Sequence, residues 1–131
     1  MRLQGKSAIV TGAGQGFGLA IARTFAAEGA RVACLDYNGE TARAAAAELG
    51  AGAIALNCDV TRRDAVDAAG AAAIEAFGRV DIVVNNAGTS HRNRPMLEVD
   101  EDEFDRVFAV NVKSIFLMAH ALIPHLSLIH I

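Results

Sequence analysis

Four short apolar runs punctuate this chain, and a stretch with helical spacing follows each of them. Residues 7–10, 31–35, 53–56 and 81–84 form runs of four or five residues, bounded by Gly, Asp or Asn. Continuous apolar runs of that length read as strands buried on both faces, not as strands with one wet side. Phe17, Ile21 and Phe25 recur one turn apart before a stop at Gly29. Residues 40–49 are Ala-rich and end at Gly50. Thr61 with Asp64 has the spacing of a cap and an acidic partner, and Val66, Ala73 and Phe77 then share a face up to Gly78. Asp100 with Glu103 repeats that start signal ahead of a long helix predicted over 101–120. The order is β-α-β-α-β-α-β-α. Strands alternating with helices of this length specify parallel βαβ units with right-handed crossovers, and so a doubly wound α/β sheet.

Composition narrows the function classes. A chain of 131 residues is the size of one domain, and 53% hydrophobic with 21% charged residues is a globular balance. The net charge of −3 comes without clustered Lys or Arg, so no nucleic-acid partner is expected. No uninterrupted apolar run approaches the length of a membrane span, so no membrane partner is expected. The segment 1–6 leads straight into a strand with no signal-peptide pattern, and a cytoplasmic location is the expectation. Cys34 and Cys58 sit inside apolar segments and read as buried free thiols of a reducing compartment. His125 and His130 have no second cluster of ligands beside them, and no metal site is expected.

The first run opens into Thr11-Gly12-Ala13-Gly14-Gln15-Gly16-Phe17-Gly18. Glycines between a first strand and a helix let the backbone turn sharply and approach a pyrophosphate. The helix N-terminus adds free N–H groups and a favourable dipole. The spacing G-x-G-x-x-G fits no frame here; T-G-x-x-x-G-x-G does, through Gly12, Gly16 and Gly18. A turn without a ligand is the alternative. Asp36 closes the second run eighteen residues after Gly18. An acid there accepts hydrogen bonds from adenosine ribose hydroxyls and repels a 2′-phosphate. Tyr37, Asn38 and Gly39 follow it with no cation, and Gln15 in the loop is neutral. NAD is therefore expected in preference to NADP, the alternative being that Asp36 only caps its turn.

Taken together, residues 3–125 resemble a short-chain dehydrogenase/reductase of the simple, single-domain type, with a Rossmann-type sheet. Asn57-Cys58-Asp59-Val60 is similar to that family's adenine-holding segment, and Asn85-Asn86-Ala87-Gly88 matches its N-N-A-G signature beside the nicotinamide ribose. The resemblance implies cofactor contacts from Gly12, Gln15, Gly16, Phe17, Gly18, Asp36, Tyr37, Asp59, Val60, Asn86, Ala87 and Gly88. It also implies hydride transfer between NAD(H) and a small carbonyl or alcohol substrate, in a homo-oligomer whose interface includes the long helix. Phe104, Phe108, Ile115, Ala119 and Leu122 are expected on one face of that helix, with Asn111 among them. A mid-helix Asn on an apolar stripe must find a partner. A structural hydrogen bond is one solution. The resemblance supplies another, since Asn111-Val112-Lys113 matches the segment holding the family's catalytic Asn.

The family's other catalytic groups are a Tyr, a Lys four residues after it, and a Ser. This sequence contains one tyrosine, Tyr37, and four residues on stands Thr41, so it has no Y-x-x-x-K. Residues 126–131, Leu-Ser-Leu-Ile-His-Ile, resemble a translation of CTG-TCT-CTT-ATA-CAC-ATC, the transposon end of a sequencing-library adapter. The expectation is a native segment 1–125, a non-native tail 126–131, and a parent protein roughly twice as long. Cut there, the sheet runs 3-2-1-4 and leaves Ile82, Val83 and Val84 on an open edge, in a marginally folded or aggregation-prone fragment. A noncatalytic relative that binds NAD without turnover is the alternative function. An extended-type epimerase or dehydratase fits less well, because position 15 is Gln where its G-x-x-G-x-x-G pattern has Gly. Arg92 and Arg94 lie near the expected active-site mouth, where a solvated loop is the simpler reading and an anionic substrate the other.

Overall fold

The computed structural model describes residues 1–126. Strands β1 (Ser7–Thr11), β2 (Arg31–Asp36), β3 (Ala53–Asn57) and β4 (Ile82–Val84) alternate with helices α1 (Gly16–Ala27), α2 (Gly39–Leu49) and α3 (Arg63–Phe77). After β4 a short 3-10 turn, Met96–Glu98, precedes a long helical stretch. That stretch comprises α4 (Glu101–Phe108), a π-helical segment (Ala109–Lys113) and α5 (Ser114–Leu122). All strand pairs are parallel, in the order β3-β2-β1-β4. Among the described residues β4 pairs with β1 alone, which makes Ile82, Val83 and Val84 an edge, as the sequence order required.

Alternate strand residues feed two cores, which is why the strands read as unbroken apolar runs. Ile9, Ala33 and Leu35 face Val66, Ala73 and Phe77 of α3 and Leu117, Met118 and Leu122 of α5. Val10, Val32 and Cys34 face Ala22 of α1 and Ala45 and Ala46 of α2. The first core is built from large side chains, each worth about 1.5–3 kcal/mol on full burial. The second uses alanines, so α1 and α2 ride close to the sheet. Cys34 and Cys58 lie in opposite cores as free thiols, and burial pushes both up to about 11.

Helix ends follow their signals in most cases. Asn38 and Asp100 cap α2 and α4 through their side chains, and Gly50 and Gly78 close α2 and α3 with positive φ. The start of α3 is a correction. Arg62 occupies the cap position without a side-chain bond, while the Thr61 N–H and hydroxyl both donate to Asp59 Oδ1. A two-residue Asx turn therefore claims Thr61 ahead of the helix.

The long helix departs further from expectation. Its buried stripe is Ser114, Leu117, Met118 and Leu122, whereas Phe104, Phe108 and Ile115 are about half exposed. Counting by sevens from Phe104 assumed an unbroken α-helix. The π segment adds a residue to one turn and rotates everything after it. Phe17, too, is 85% exposed and does not share the sheet-facing side with Ile21 and Phe25. Residues Glu101–His125 are long and apolar enough, by length and a mean hydropathy of 1.6, to cross a membrane. Uninterrupted runs did not reveal this, because scattered polar residues break the stretch. Of the expected tail, Leu126 donates its N–H to Leu122 O and packs on the first core, and 127–131 lie outside the described residues.

Candidate functional site

A cleft of about 740 Å³ opens at the C-terminal ends of the strands. In an open parallel sheet this is where ligands bind, beside the point where the strand order reverses. That point is β1, flanked by β2 and β4. A second groove of about 490 Å³ lies between α3 and α5, away from the strand ends, and is lined by residues such as Ile74 and His120.

The floor of the cleft is a knot around Thr11. Its buried hydroxyl accepts the N–H groups of Asn86 and Ala87 at 3.0 and 2.9 Å and donates to Val84 O at 3.4 Å. The Asn86 side chain answers by donating to Thr11 O at 3.1 Å and Gly12 O at 3.3 Å. The loop after β4 is thereby stitched to the loop after β1. Gly12 and Gly18 follow from that stitching. Gly12 has φ +64°, and a Cβ on Gly18 would lie 2.5 Å from Asn86 Nδ2 and on top of Gly12 O. Gly16, at φ +59°, has open space beside it and is glycine for its backbone conformation alone.

The N-terminus of α1 faces this cleft through Gln15, Gly16 and Phe17. No side chain caps it, and its first turn holds no acid. Unclaimed N–H groups and a positive dipole end, without a carboxylate to neutralise them, suit a phosphate.

Asp36 is held on both oxygens. Oδ2 accepts Gly14 N–H at 2.9 Å and Oδ1 accepts Asn38 N–H at 2.9 Å. Each oxygen keeps a lone pair for a ligand hydroxyl. Gly14 was left without a role in the sequence pattern, and the structure gives it one. A Cβ there would overlap Thr41 Oγ1 and lie 2.7 Å from Asp36 Oδ2. Tyr37, 78% exposed, flanks the same end of the cleft, and Asp59, Val60 and Thr61 form its wall beyond β3. Cys58 reaches this wall as well.

At the opposite end, Gly88 and Thr89 form the wall. Asn111 Oδ1 accepts Thr89 N–H and Asn111 Nδ2 donates to Thr89 O, both at 2.7 Å. The mid-helix Asn thus finds its partner in the backbone of the loop beyond β4. Arg106 lines the cleft here, whereas Arg94 is turned away into an ion pair with Glu103 at 3.2 Å. Eleven of the twelve expected cofactor residues line this one cleft, and Gly18 lies buried beneath it. Thr11, Gly14, Thr89 and Arg106 were not singled out by sequence reasoning. A hydroxyl residue ending β1 and a fourth glycine in the loop were the available signals for the first two.

A family model described as "short chain dehydrogenase" matches residues 6–129. Sorbitol dehydrogenase of Cereibacter sphaeroides is 43% identical over 121 residues, covering 92% of this chain and 47% of that protein. Among solved structures, a 3-ketoacyl-(acyl-carrier-protein) reductase from Brucella melitensis complexed with NADH superposes with a TM-score of 0.92 at 46% identity. It covers 94% of this chain and 51% of its own. A metagenomic short-chain oxidoreductase in complex with NADP gives 0.89 at 37% identity, over 95% of this chain and 58% of its own. The chain spans about half the length of the relatives it matches. With the motif order, the 3-2-1-4 sheet and the family model in agreement over nearly all of its length, the chain belongs to the short-chain dehydrogenase family.

Proposed function

We propose that this chain is the dinucleotide-binding half of an NAD-dependent dehydrogenase or reductase acting on a small carbonyl or alcohol. The observation that carries the reading is Asp36, fixed against the glycine loop by Gly14 N–H at the adenosine end of the cleft. The uncapped α1 N-terminus takes the pyrophosphate, with Gly12, Gln15, Gly16, Phe17 and Gly18 shaping the turn. Asp36 and Tyr37 meet the adenosine ribose, and Asp59 and Val60 the adenine. Asn86, Ala87 and Gly88 flank the nicotinamide ribose. The bound nicotinamide supplies the hydride acceptor or donor. Asn111 belongs to the catalytic set of the parent protein. The Tyr, Lys and Ser of that set are supplied from outside residues 1–125, so this chain alone binds NAD without turnover. The exposed face of α4 and α5 with Phe104, Phe108 and Ile115 becomes a subunit contact in the parent, a homo-oligomer of the cytoplasm.

NAD is favoured over NADP because a 2′-phosphate would meet the Asp36 carboxylate, and like charges in contact cost several kcal/mol. The related structures hold NADH in one case and NADP in the other, so the test is direct. Titration of the chain with NADH and with NADPH, followed by reduced-nicotinamide fluorescence, should give binding at least about tenfold tighter for NADH. Equal or tighter NADPH binding overturns the role of Asp36. Absence of binding by either overturns the cofactor reading.

A further inference from the structure

The loop beyond β4 is held in an unusual way. Among the described residues, the backbone of 87–94 makes no hydrogen bond to another backbone group. Side chains do the holding. Thr11 takes Ala87 N–H, Asn111 takes both polar groups of Thr89, and Glu103 Oε1 accepts Arg92 N–H. Arg106 adds two bonds at the centre of this stretch, from Nη1 to Thr89 Oγ1 at 3.2 Å and from Nη2 to Ser90 O at 3.3 Å. Thr89 is therefore gripped by its backbone from Asn111 and by its side chain from Arg106.

The cleft's charges are also divided. Asp36 and Asp59 stand at the β2–β3 end, and Arg106 is the cation that lines the β4 end. No carboxylate within ion-pair distance claims Arg106 among the described residues, whereas Arg94 next to it is paired with Glu103. Its planar fork is directed to a hydroxyl and a carbonyl instead. A loop without backbone partners keeps one shape only if such bonds select it, and a preformed wall spares the ligand the cost of ordering it.

We propose that Arg106 is a positioning residue that presets Thr89 and Ser90 for the nicotinamide end of the cofactor. The proposal rests on the reading of the cleft as a dinucleotide site. It confines the effect of Arg106 to the β4 end and leaves the adenosine end untouched.

The test compares NADH with ADP, which reaches only the β2–β3 end and the glycine loop, on the 131-residue chain and on R106A and R106K. R106A should weaken NADH about tenfold and leave ADP within about twofold. R106K keeps the charge but reaches one acceptor in place of two, so its NADH affinity should fall between those of the parent chain and R106A. If R106A proves too unstable to bind ADP, the ratio of NADH to ADP affinity in R106K decides. An unchanged ratio overturns the proposal, as does equal loss of both ligands in a folded variant. Failure of the unsubstituted chain to bind either ligand overturns the cofactor reading itself and this proposal with it.

Discussion

Asn111 and Thr89 meet as a closed pair, the side-chain amide of one matching the backbone amide of the other at 2.7 Å in both directions. The arrangement copies a rung of a β-ladder, with a side chain in place of the second strand. It fixes the loop beyond β4 to the π segment of the long helix, although these elements lie twenty-two residues apart.

Replacing Asn111 with Ala removes both bonds and strands one donor and one acceptor of a half-buried backbone. Urea unfolding should show a loss of about 1–3 kcal/mol. Asn111→Asp should recover little, since a carboxylate can accept from Thr89 N–H but repels Thr89 O. Equal stability of Asn111→Ala and the parent chain would show that the pair contributes nothing net.

Gly14→Ala should cost cofactor affinity more than stability. The added methyl overlaps Thr41 Oγ1, and it presses 2.7 Å from Asp36 Oδ2. Pairing it with Thr41→Ala removes the Oγ1 overlap but leaves the residue-41 Cβ at 2.8 Å and the carboxylate at 2.7 Å. NADH titration should rank the parent chain first, the double variant second and Gly14→Ala last. A Gly14→Ala variant that binds NADH as the parent does would sink this account of the loop.

Asp81 should make the fold sensitive to acid. Its side chain is largely buried, which pushes its pKa up, but the Arg79 guanidinium and Ser7 N–H outweigh this and hold it below the usual carboxylate value. Because the unfolded chain then takes up the proton first, the associated stability is present above about pH 4 and disappears as the pH falls through the folded value. Asp81→Asn should be less stable than the parent by about 1 kcal/mol at neutral pH. The two should converge in denaturant melts as the pH falls below the lowered folded value. Parallel curves across that range would exclude Asp81 as the source.

Both cysteines should be silent toward thiol reagents in the native state. Burial in separate cores holds each near 11, so at pH 8 the thiolate fraction is small and access is blocked. Colour development with a disulfide reagent should wait for denaturant and then report two thiols per chain. Rapid native labelling would mean that Cys58, which reaches the cleft wall, can be attacked from the cleft.

Much of this architecture was legible from the order of residues. Ile9 and Val10 feed opposite cores, so β1 could only be a central strand, and the parallel 3-2-1-4 sheet follows from the helices between the runs. The residues that line the cleft were legible where a glycine spacing or a strand-ending acid marks them, as at Gly12 and Asp36. Three features were not. The π turn at Ala109–Lys113 is invisible to a period of 3.6, and after it Ser114, Leu117, Met118 and Leu122 are buried while Ile115 is not. The Asx turn at Asp59 outcompeted a capping pattern that looked sound at Thr61. Gly14 and Arg106 take their meaning from Asp36 and Thr89, partners remote in sequence that only the folded chain brings close.

The double hold on Asp36 bears on attempts to redesign cofactor choice. A replacement by a cation or a residue without a side-chain acceptor, made to welcome a 2′-phosphate, also lets go of Gly14 and Asn38, and so loosens the turn before α1 and the start of α2. On the proposed role of Asp36, selectivity and the shape of the entrance are inherited together. A switch of preference is better sought as a matched set at Gly14, Asp36, Asn38 and Thr41 than as a single exchange.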